Sequence, residues 1–421
     1  MTAIIDDMLR RAREARRALA SASTAQRDDA LGKIAEAIGR NASLTLSCNA
    51  SDMSVARELE LSDSMLDRLR LDEARLRAIS ESALAVRALP DPLAEERVLG
   101  TRPNGLKVTK RRAPLGVIAV VYEARPNVTV ECAALCIKSG NAIILRGGKE
   151  AMGSNRTLAS AVREGLSYAS LPIDCVQLVN ETGREHVAAL LGATGRVDLC
   201  IPRGGAKLME LVDACAKVPV IRHGQGICHV YVDEGANPRM AVEIAVNAKV
   251  SRPGVCNAME TLLVHKSALD NGLWVEIARR MRDNGVILHC DERCARALDG
   301  AGVTVLSAKE SDWDTEFLSL ELAVRAVDSL DEALEHIAKH GTEHTASIVT
   351  EDPARAERFL REVEASCVLW NASTRFNDGG ELGLGAEIGI STSRMHAWGP
   401  MGLRELTAEK FVVYGEGQVR G

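Results

Sequence analysis

The sequence is poor in aromatic residues, since its 421 positions include only four each of Phe, Trp and Tyr. Its cores must therefore be filled by Ala, Val, Leu and Ile, a mixture that suits helices packed on parallel sheets. An excess of basic residues is also lacking, because 58 acidic residues outnumber 52 basic ones. The resulting net charge of −6 gives no attraction for nucleic acid or an anionic membrane, and we expect neither as a partner.

Long hydrophobic runs and a disulfide pattern are missing as well. No stretch reaches the length of a transmembrane helix, and the first residues lack the apolar core of a signal peptide. The eleven cysteines are odd in number and scattered, unlike the dense even sets that cross-link small secreted domains. We therefore expect a cytoplasmic protein whose cysteines are reduced and mostly buried.

Hydrophobic periodicity predicts the arrangement of secondary structure. Residues 4–90 show helical spacing, and 98–113 read as an exposed hairpin that pairs with a strand beginning near Lys410. From 116 onwards short apolar runs alternate with helical stretches, which is typical of parallel, doubly wound sheets. The expected strands are 116–123, 142–145, 175–179, 197–201, 218–221, 229–232, 259–265, 286–290, 303–306, 320–327, 345–350 and 367–371. The expected helices are 128–139, 151–169, 183–192, 205–216, 238–250, 269–284, 329–340 and 353–364.

One turn presents a candidate nucleophile. Ser251-Arg-Pro-Gly-Val-Cys256 is a polar stretch broken by Pro and Gly, and it precedes the apolar strand 259–265. A thiol at the edge of a loop can be reached, whereas one inside a strand is packed away. This stretch alone leaves open the alternative that Cys256 is a small core hydrophobe.

Two loops that follow predicted strands contain paired glycines and a basic residue. Glycines let the backbone approach a phosphate, and residues beyond the carboxyl ends of parallel strands are the usual place for a ligand. Tight strand-to-helix turns are the alternative. The first loop is not a P-loop, since Gly148-Lys149 is followed by Glu150 rather than Ser or Thr. We expect no metal site, because the cysteine pairs 132/136 and 290/294 are spaced for core packing. The loops are Arg146, Gly147, Gly148 and Lys149, and Pro202, Arg203, Gly204 and Gly205.

Longer motifs resemble a known family. Pro114–Val117, Gly140–Arg146, the Cys256 turn and the C-terminal half together resemble the aldehyde dehydrogenase superfamily over nearly the whole chain. Further motifs are similar, within it, to the branch that reduces the acyl phosphate L-glutamyl 5-phosphate in proline biosynthesis. These motifs are Tyr122–Pro126, Ile201–Gly205, Gly226–Val232, Trp370–Gly380 and Gly383–Thr392.

The resemblance implies a mechanism and a set of site residues. Cys256 attacks the acyl phosphate, phosphate leaves, and hydride from NADPH converts the thioester to L-glutamate 5-semialdehyde. The backbone N–H of Cys256 holds the oxyanion. The loop 373–378 holds the substrate amino and carboxylate groups, or else is a polar turn. The implied substrate-binding residues are Arg125, Asn257, Ser373, Thr374, Arg375 and Asp378, and the implied cofactor-binding residues are the two glycine loops and Glu316.

One departure separates this sequence from hydrolytic members of the superfamily. Those enzymes carry a glutamate that activates water on the thioester, whereas the matching stretch here, 221–226, has no carboxylate. His223 in this stretch would assist proton transfer, or else would have a structural or phosphate-orienting role. A hydrolytic aldehyde dehydrogenase and a non-catalytic protein of the same fold remain the alternative functions.

The resemblance also implies a domain organisation. The expected α/β fold has a Rossmann-type cofactor domain (1–97 and 117–225), a second α/β catalytic domain (226–400) and a small β element (98–116 and 401–421). We expect the β element to join subunits of a homo-oligomer. Because acyl phosphates are labile, the resemblance also implies coupling to glutamate 5-kinase.

Overall fold

The structure, a computed structural model, describes residues 3–222 and 224–420. These residues form two units. The first comprises the described residues within 1–222, 383–389 and 401–421, and the second comprises those within 223–382 and 390–400. The segment 383–389 falls within the domain 226–400 of the sequence analysis, yet it packs with the first unit, where Gly385 lies against Leu89.

The first unit begins with five helices, as the helical spacing over 4–90 predicts, and continues into a parallel sheet. The second helix starts with a capping box, in which Ser23 Oγ accepts the Gln26 N–H at 3.2 Å and the Gln26 side chain accepts the Ser23 N–H. The elements are α1 (Ala3–Ser21), α2 (Thr24–Arg40), α3 (Ala42–Glu58), α4 (Asp63–Leu69), α5 (Glu73–Ala88), β1 (Glu96–Thr101), β2 (Lys107–Pro114), β3 (Val117–Tyr122), α6 (Pro126–Lys138), β4 (Ala142–Arg146), α7 (Met152–Tyr168), β5 (Val176–Leu178), α8 (Arg184–Leu191), β6 (Leu199–Arg203) and α9 (Ala206–Cys215). The parallel sheet has the order β5-β4-β3-β6.

The second unit contains a seven-stranded parallel sheet, which confirms the predicted β-α alternation. Its strand order is β10-β9-β11-β8-β7-β12-β13. The elements are β7 (Cys228–Val232), α10 (Pro238–Val250), β8 (Met259–His265), α11 (Lys266–Asp270), α12 (Leu273–Asp283), β9 (Ile287–Cys290), α13 (Glu292–Arg296), β10 (Leu306–Ser307), β11 (Glu321–Val327), α14 (Leu330–His340), β12 (Thr345–Val349), α15 (Pro353–Glu362) and β13 (Cys367–Trp370). Two further short strands, β14 (Gly389–Ser391) and β15 (Gly399–Met401), pair with each other.

A separate antiparallel sheet joins the early hairpin to the end of the chain. Its order is β1-β2-β16, where β16 is Thr407–Tyr414. Thr109 on β2 pairs with Val412 on β16, so the predicted pairing of the hairpin with the last strand is confirmed.

Three predicted elements differ from the structure. The strand expected at 218–221 is reduced to a single bridge between Cys200 and Val220, because Pro219 has no N–H to extend a ladder. The strand expected at 303–306 is the two-residue β10, since a turn with Gly302 at a φ of +73° precedes it. The helix expected at 269–284 is divided into α11 and α12 by Gly272, whose φ is +81°.

The cores are aliphatic, and most cysteines lie in them as predicted. Seven of the eleven cysteines are buried, including both closely spaced pairs, 132/136 and 290/294. Burial raises the pKa of Cys132 and of Cys290 to about 12, so these thiols stay protonated and unreactive. Among the described residues, none of the helices combines the length and hydrophobicity needed to cross a bilayer.

Two buried histidines lie side by side in the second unit. The rings of His229 on β7 and His336 on α14 have centroids 5.5 Å apart, and the residues are 1% and 3% exposed. Nδ1 of His336 accepts a hydrogen bond from Arg325 at 3.1 Å. Burial lowers the pKa of His229 to about 4 and that of His336 to about 2, so both are neutral in the folded protein.

We expect acid to destabilise this unit through these histidines. Below an unfolded-state pKa of 6.5 the unfolded chain binds protons that the folded chain does not, so the free energy of unfolding falls from pH 6.5 down to about 4 for His229 and further for His336. The slope is at most about 1.4 kcal/mol per pH unit for each histidine. Urea unfolding across this range should show a shallower slope for His336→Gln than for the unmodified protein. An unchanged slope in His336→Gln would contradict this account.

Candidate active site

Cys256 lies on the loop between α10 and β8, and it is exposed. The loop follows a helix that ends at Val250, and a tight turn holds it, in which the Ala258 N–H donates to the Val255 carbonyl at 3.0 Å. Of the remaining ten cysteines, three are half-buried and seven are buried. The predicted accessibility of this thiol is therefore confirmed, and its role as nucleophile stays a prediction.

The residue after Cys256 ties this loop to the segment 373–378. Asn257 is 4% exposed, and its Nδ2 donates to the carbonyl oxygens of Asn377 at 2.9 Å and Arg375 at 3.4 Å. On the other side, Nε of Arg375 donates to Ser251 Oγ at 3.2 Å. The structure therefore brings together Cys256, Asn257 and Arg375, three residues that the sequence assigned to one site.

The other predicted residues of this segment make local contacts. Ser373 Oγ accepts the Arg375 N–H at 3.3 Å, and Thr374 is fully buried. Asp378 Oδ1 accepts the Gly380 N–H at 2.9 Å. These are the contacts of a polar turn that holds its own shape. The Arg375 side chain is half-buried and brings a positive charge to the Cys256 loop, and substrate binding by Ser373, Thr374 and Asp378 stays a prediction.

Glu316 is anchored beside the Cys256 loop. Its Oε1 accepts the Gly226 N–H at 2.9 Å, and a Cβ on Gly226 would collide with the carbonyl oxygen of Cys256. That same carbonyl accepts a hydrogen bond from Cys228 Sγ at 3.1 Å. Burial raises the pKa of Glu316, while the Gly226 N–H and the charge of Lys249 oppose the shift. Glu316 is thus a half-buried carboxylate that is held close to the backbone of the candidate nucleophile.

A buried ion pair closes the two ends of the Cys256 loop. Lys249 in the last turn of α10 and Glu260 on β8 are both 0% exposed, and Nζ lies 2.6 Å from Oε2. The other carboxylate oxygen of Glu260 accepts the Leu318 N–H at 3.2 Å. Burial lowers the pKa of Lys249 and raises that of Glu260 to about 7, while each partner opposes the shift of the other. The pair fixes the positions where the loop begins and ends.

In the first unit the two glycine loops follow strands on either side of β3. The loop 146–149 follows β4, and the loop 202–205 follows β6. Glu123, directly after β3, accepts the Gly205 N–H at 2.9 Å. Gly205 is exposed, and a Cβ there would meet no atom within 4 Å, so its backbone at the start of α9 can be approached closely. After β3 the chain adds β4 and β5 on one side of the sheet, and it then adds β6 on the other side of β3. Dinucleotides bind at such switch points in the strand order of open parallel sheets.

The basic side chains of the loop 146–149 differ in whether their charged groups are available to a ligand. The Arg146 guanidinium donates to the carbonyls of Gly147 at 2.9 Å and Thr182 at 2.6 Å, and burial lowers its pKa. Lys149 is exposed and has no ion pair among the described residues. An approachable glycine backbone and an available cation fit the pyrophosphate and phosphate groups of a nicotinamide dinucleotide.

Arg125, another predicted substrate residue, lies in the first unit. It immediately precedes α6, and its carbonyl accepts the Val128 N–H at 3.1 Å. His223 lies outside the described residues. In the rest of the stretch 221–226, Arg222 forms an ion pair with Asp213 at 3.0 Å.

The sequence analysis missed several residues that shape these sites. Glu123 and the pair Lys249 and Glu260 hold loops in place, and Gly226 makes room for the Cys256 carbonyl. The position of Glu260 was a usable signal, because a carboxylate inside an otherwise apolar strand needs a buried partner. The sequence pattern does not show that the partner of Glu260 is Lys249 rather than another basic residue.

Comparison with known proteins identifies the family. The profile of the aldehyde dehydrogenase family matches residues 2–286. The gamma-glutamyl phosphate reductase of Anaeromyxobacter dehalogenans is 53% identical over 408 residues, which cover 97% of this chain and 95% of that protein.

Solved structures agree with this assignment. The crystal structure of the gamma-glutamyl phosphate reductase of Thermotoga maritima has 42% identity and a TM-score of 0.94, over 99% of this chain and 100% of that chain. That of Saccharomyces cerevisiae has 31% identity and a TM-score of 0.54, over 100% of this chain and 99% of that chain. The predicted aldehyde-dehydrogenase-like α/β fold is therefore confirmed. The chain belongs to the aldehyde dehydrogenase family and, within it, to the gamma-glutamyl phosphate reductases.

Proposed function

We propose that this chain reduces L-glutamyl 5-phosphate to L-glutamate 5-semialdehyde and phosphate, the second step of proline biosynthesis from glutamate, with NADPH as the reductant. The observation that carries the proposal is the exposed thiol of Cys256 on a loop whose ends are fixed by buried contacts, in a chain of this family. A fixed and accessible thiol is what an enzyme needs to form a thioester by attack on an acyl phosphate.

Cys256, Asn257 and Arg375 have different roles in the formation of the thioester. The Cys256 thiolate attacks the acyl carbon, the phosphate leaves with the electron pair of the broken C–O bond, and a thioester remains. The backbone N–H of Cys256 stabilises the negative oxygen of the tetrahedral intermediate. Asn257 positions Arg375 through the Arg375 carbonyl, and the Arg375 charge favours the thiolate over the thiol.

The nicotinamide cofactor, when bound, supplies the hydride that reduces the thioester to the aldehyde. The residues of the chain bind and orient this cofactor. The backbone at Gly204 and Gly205, with the start of α9, is the proposed cradle for phosphate oxygens, and Pro202, Arg203 and the loop 146–149 form its sides. Glu316 is the proposed partner of the nicotinamide ribose.

The lack of a carboxylate in the stretch 221–226 supports phosphate release and reduction over hydrolysis. A reductase must protect its thioester from water, because hydrolysis would waste the activated acyl group. Without a base to activate water, the thioester persists until hydride arrives.

The reverse reaction distinguishes the three candidate functions. Purified protein is given L-glutamate 5-semialdehyde and NADP+, with and without inorganic phosphate, and NADPH formation is followed. We expect NADPH to form only with phosphate. A hydrolytic aldehyde dehydrogenase would form NADPH and glutamate without phosphate. A non-catalytic protein would form none under either condition, and that outcome would overturn the proposal.

We expect Lys149 to favour NADPH over NADH, because its charge is available for the 2′-phosphate while Arg146 is bound to backbone carbonyls. Lys149→Ala should raise KM for NADPH roughly tenfold, the value of one exposed phosphate contact, and leave KM for NADH unchanged. The matched control is Lys217→Ala, which removes another exposed lysine of the same unit. Equal effects on both nucleotides would assign Lys149 no part in the preference.

The remaining proposals concern partners and location. We propose that the sheet β1-β2-β16 forms a homo-oligomer contact, since Val98 and Phe411 on it are 60% and 65% exposed. We also propose a cytoplasmic location and coupling to glutamate 5-kinase, because a labile acyl phosphate is best used where it is made. Light scattering and a coupled assay with the kinase test the first and last of these.

A further inference from the structure

Two arginines lie on the two segments that hold the nucleophile. Arg252 belongs to the Cys256 loop itself, directly after Ser251, and Arg375 belongs to the facing segment. The hydrogen bond from Arg375 Nε to Ser251 Oγ, at 3.2 Å, places Arg375 beside the residue that precedes Arg252. Asn257, on the far side of Cys256, donates to the Arg375 carbonyl at 3.4 Å, so Arg375 is tied to this loop on both sides of the thiol, by its side chain at Ser251 and by its carbonyl at Asn257.

Neither guanidinium has a carboxylate at ion-pair distance among the described residues. Other arginines of this unit do, as in the pair of Arg355 with Asp233 at 2.5 Å. Arg252 is exposed and Arg375 is half-buried. Burial, followed by the charge of Arg252, lowers the pKa of the Arg375 guanidinium, so the two cations are close enough to repel each other. The charge of Asp378 opposes this shift, although Asp378 forms no ion pair with Arg375. Two neighbouring cations outside any ion pair among the described residues fit an anion that carries more than one negative charge.

The substrate of the proposed function has two anionic groups, and their distances from the reacting carbon differ. The phosphoryl group is bonded through one oxygen to the carbon that Cys256 attacks. The α-carboxylate lies at the opposite end of the molecule, beyond the side-chain carbons. Cations on the nucleophile's loop and on the segment bonded to it are therefore placed for the phosphoryl group rather than for the α-carboxylate, and the phosphoryl geometry matches the planar donors of guanidinium groups.

We propose that Arg252 and Arg375 together hold the phosphoryl group of the acyl phosphate and stabilise it as it leaves. This inference rests on the proposed function and assigns a task to Arg252, while it replaces amino-acid recognition as the task of Arg375. In the step, the bond from sulfur to carbon forms, the bond from carbon to the phosphate oxygen breaks, and the phosphate departs with that electron pair. No atom is oxidised or reduced until the later hydride transfer.

The reverse reaction tests this assignment, because there inorganic phosphate and the semialdehyde are separate substrates with separate KM values. We expect Arg252→Gln and Arg375→Gln each to raise KM for phosphate by roughly 10- to 100-fold, the range for a lost charge-assisted contact. KM for the semialdehyde should stay within about twofold, since its α-carboxylate binds elsewhere. Lysine at either position should restore part of the phosphate affinity. Arg280→Gln, which removes an exposed arginine without a carboxylate partner on α12, is the matched control and should change neither KM.

Other outcomes would overturn the assignment. A raised KM for the semialdehyde with unchanged KM for phosphate would place the α-carboxylate at these arginines, and no change in either would remove them from the site. A second measurement does not depend on turnover, namely the rate at which iodoacetamide labels Cys256 with and without inorganic phosphate. Phosphate should slow labelling in the unmodified protein and not in Arg252→Gln. Protection without any turnover would refute the proposed function and keep the phosphate site, whereas turnover without protection would refute the phosphate site alone.

Discussion

Replacing Cys256 with alanine is expected to abolish the reduction of the acyl phosphate, with a loss of roughly 10⁴-fold or more in kcat, while the fold is retained. The size of the effect follows from the role of the thiol, because no thioester forms without it and no other site residue replaces the nucleophile. The exposed position of Cys256 means that the substitution leaves no cavity in a core. Initial rates in either direction, with circular dichroism to check the fold, provide the measurement.

The matched control is Cys367→Ala. Cys367 is a half-buried cysteine of the same unit, at the start of β13. Burial raises its pKa to about 11, so its thiol is protonated at neutral pH and has no role in the proposed chemistry. Turnover should be close to that of the unmodified protein. Turnover that survives in Cys256→Ala would exclude the covalent mechanism.

Breaking the buried ion pair should have the largest effect on stability. Lys249→Met leaves the Glu260 carboxylate buried without its cation, and such a change costs about 3 to 5 kcal/mol in the free energy of unfolding. We expect the Glu260 carboxylate to take up a proton in this variant, because burial already raises its pKa to about 7 even with Lys249 beside it. Urea unfolding followed by tryptophan fluorescence measures the loss, because Trp274 lies in the core of the same unit.

The double variant separates the charge from the packing. Lys249→Met with Glu260→Leu replaces both charges by apolar side chains of similar volume, and such replacements are often neutral or stabilising. We therefore expect the double variant to recover most of the stability that Lys249→Met loses. Additive losses in the double variant would show that the pair acts through packing alone. Slower iodoacetamide labelling of Cys256 in the stable double variant would show that the pair also positions the nucleophile.

The sequence predicted the two parallel sheets because alternating apolar runs and helical spacing are local features. It failed where a single residue changes the backbone. Pro219 ends a ladder that its apolar neighbours would otherwise extend, and Gly272 divides a helix whose hydrophobic spacing continues on both sides. Such effects depend on a missing N–H or on a positive φ, which periodicity does not register.

The sequence predicted those parts of the candidate site that are formed by neighbouring residues, but not the contacts between separate segments of the chain. Cys256 and the glycine loops are recognisable from neighbours in sequence, and Cys256 is exposed as expected. The contact of Arg375 with Ser251 joins residues 124 positions apart, and Lys249 and Glu260, although only 11 positions apart, belong to a helix and a strand whose packing brings them together. Their partners are chosen by the packing of strands and loops, and a single sequence does not contain that choice.

The pairing of β2 with β16 has a consequence for how the chain is made. Thr109 and Val412 are 303 positions apart, so this ladder closes one of the longest loops in the molecule and carries a large closure entropy. During synthesis the hairpin of β1 and β2 emerges first and keeps one edge open until β16, about 300 residues later, leaves the ribosome. The exposed edge carries Lys110, Arg111 and Arg112, whose like charges discourage two nascent chains from pairing edge to edge before β16 arrives.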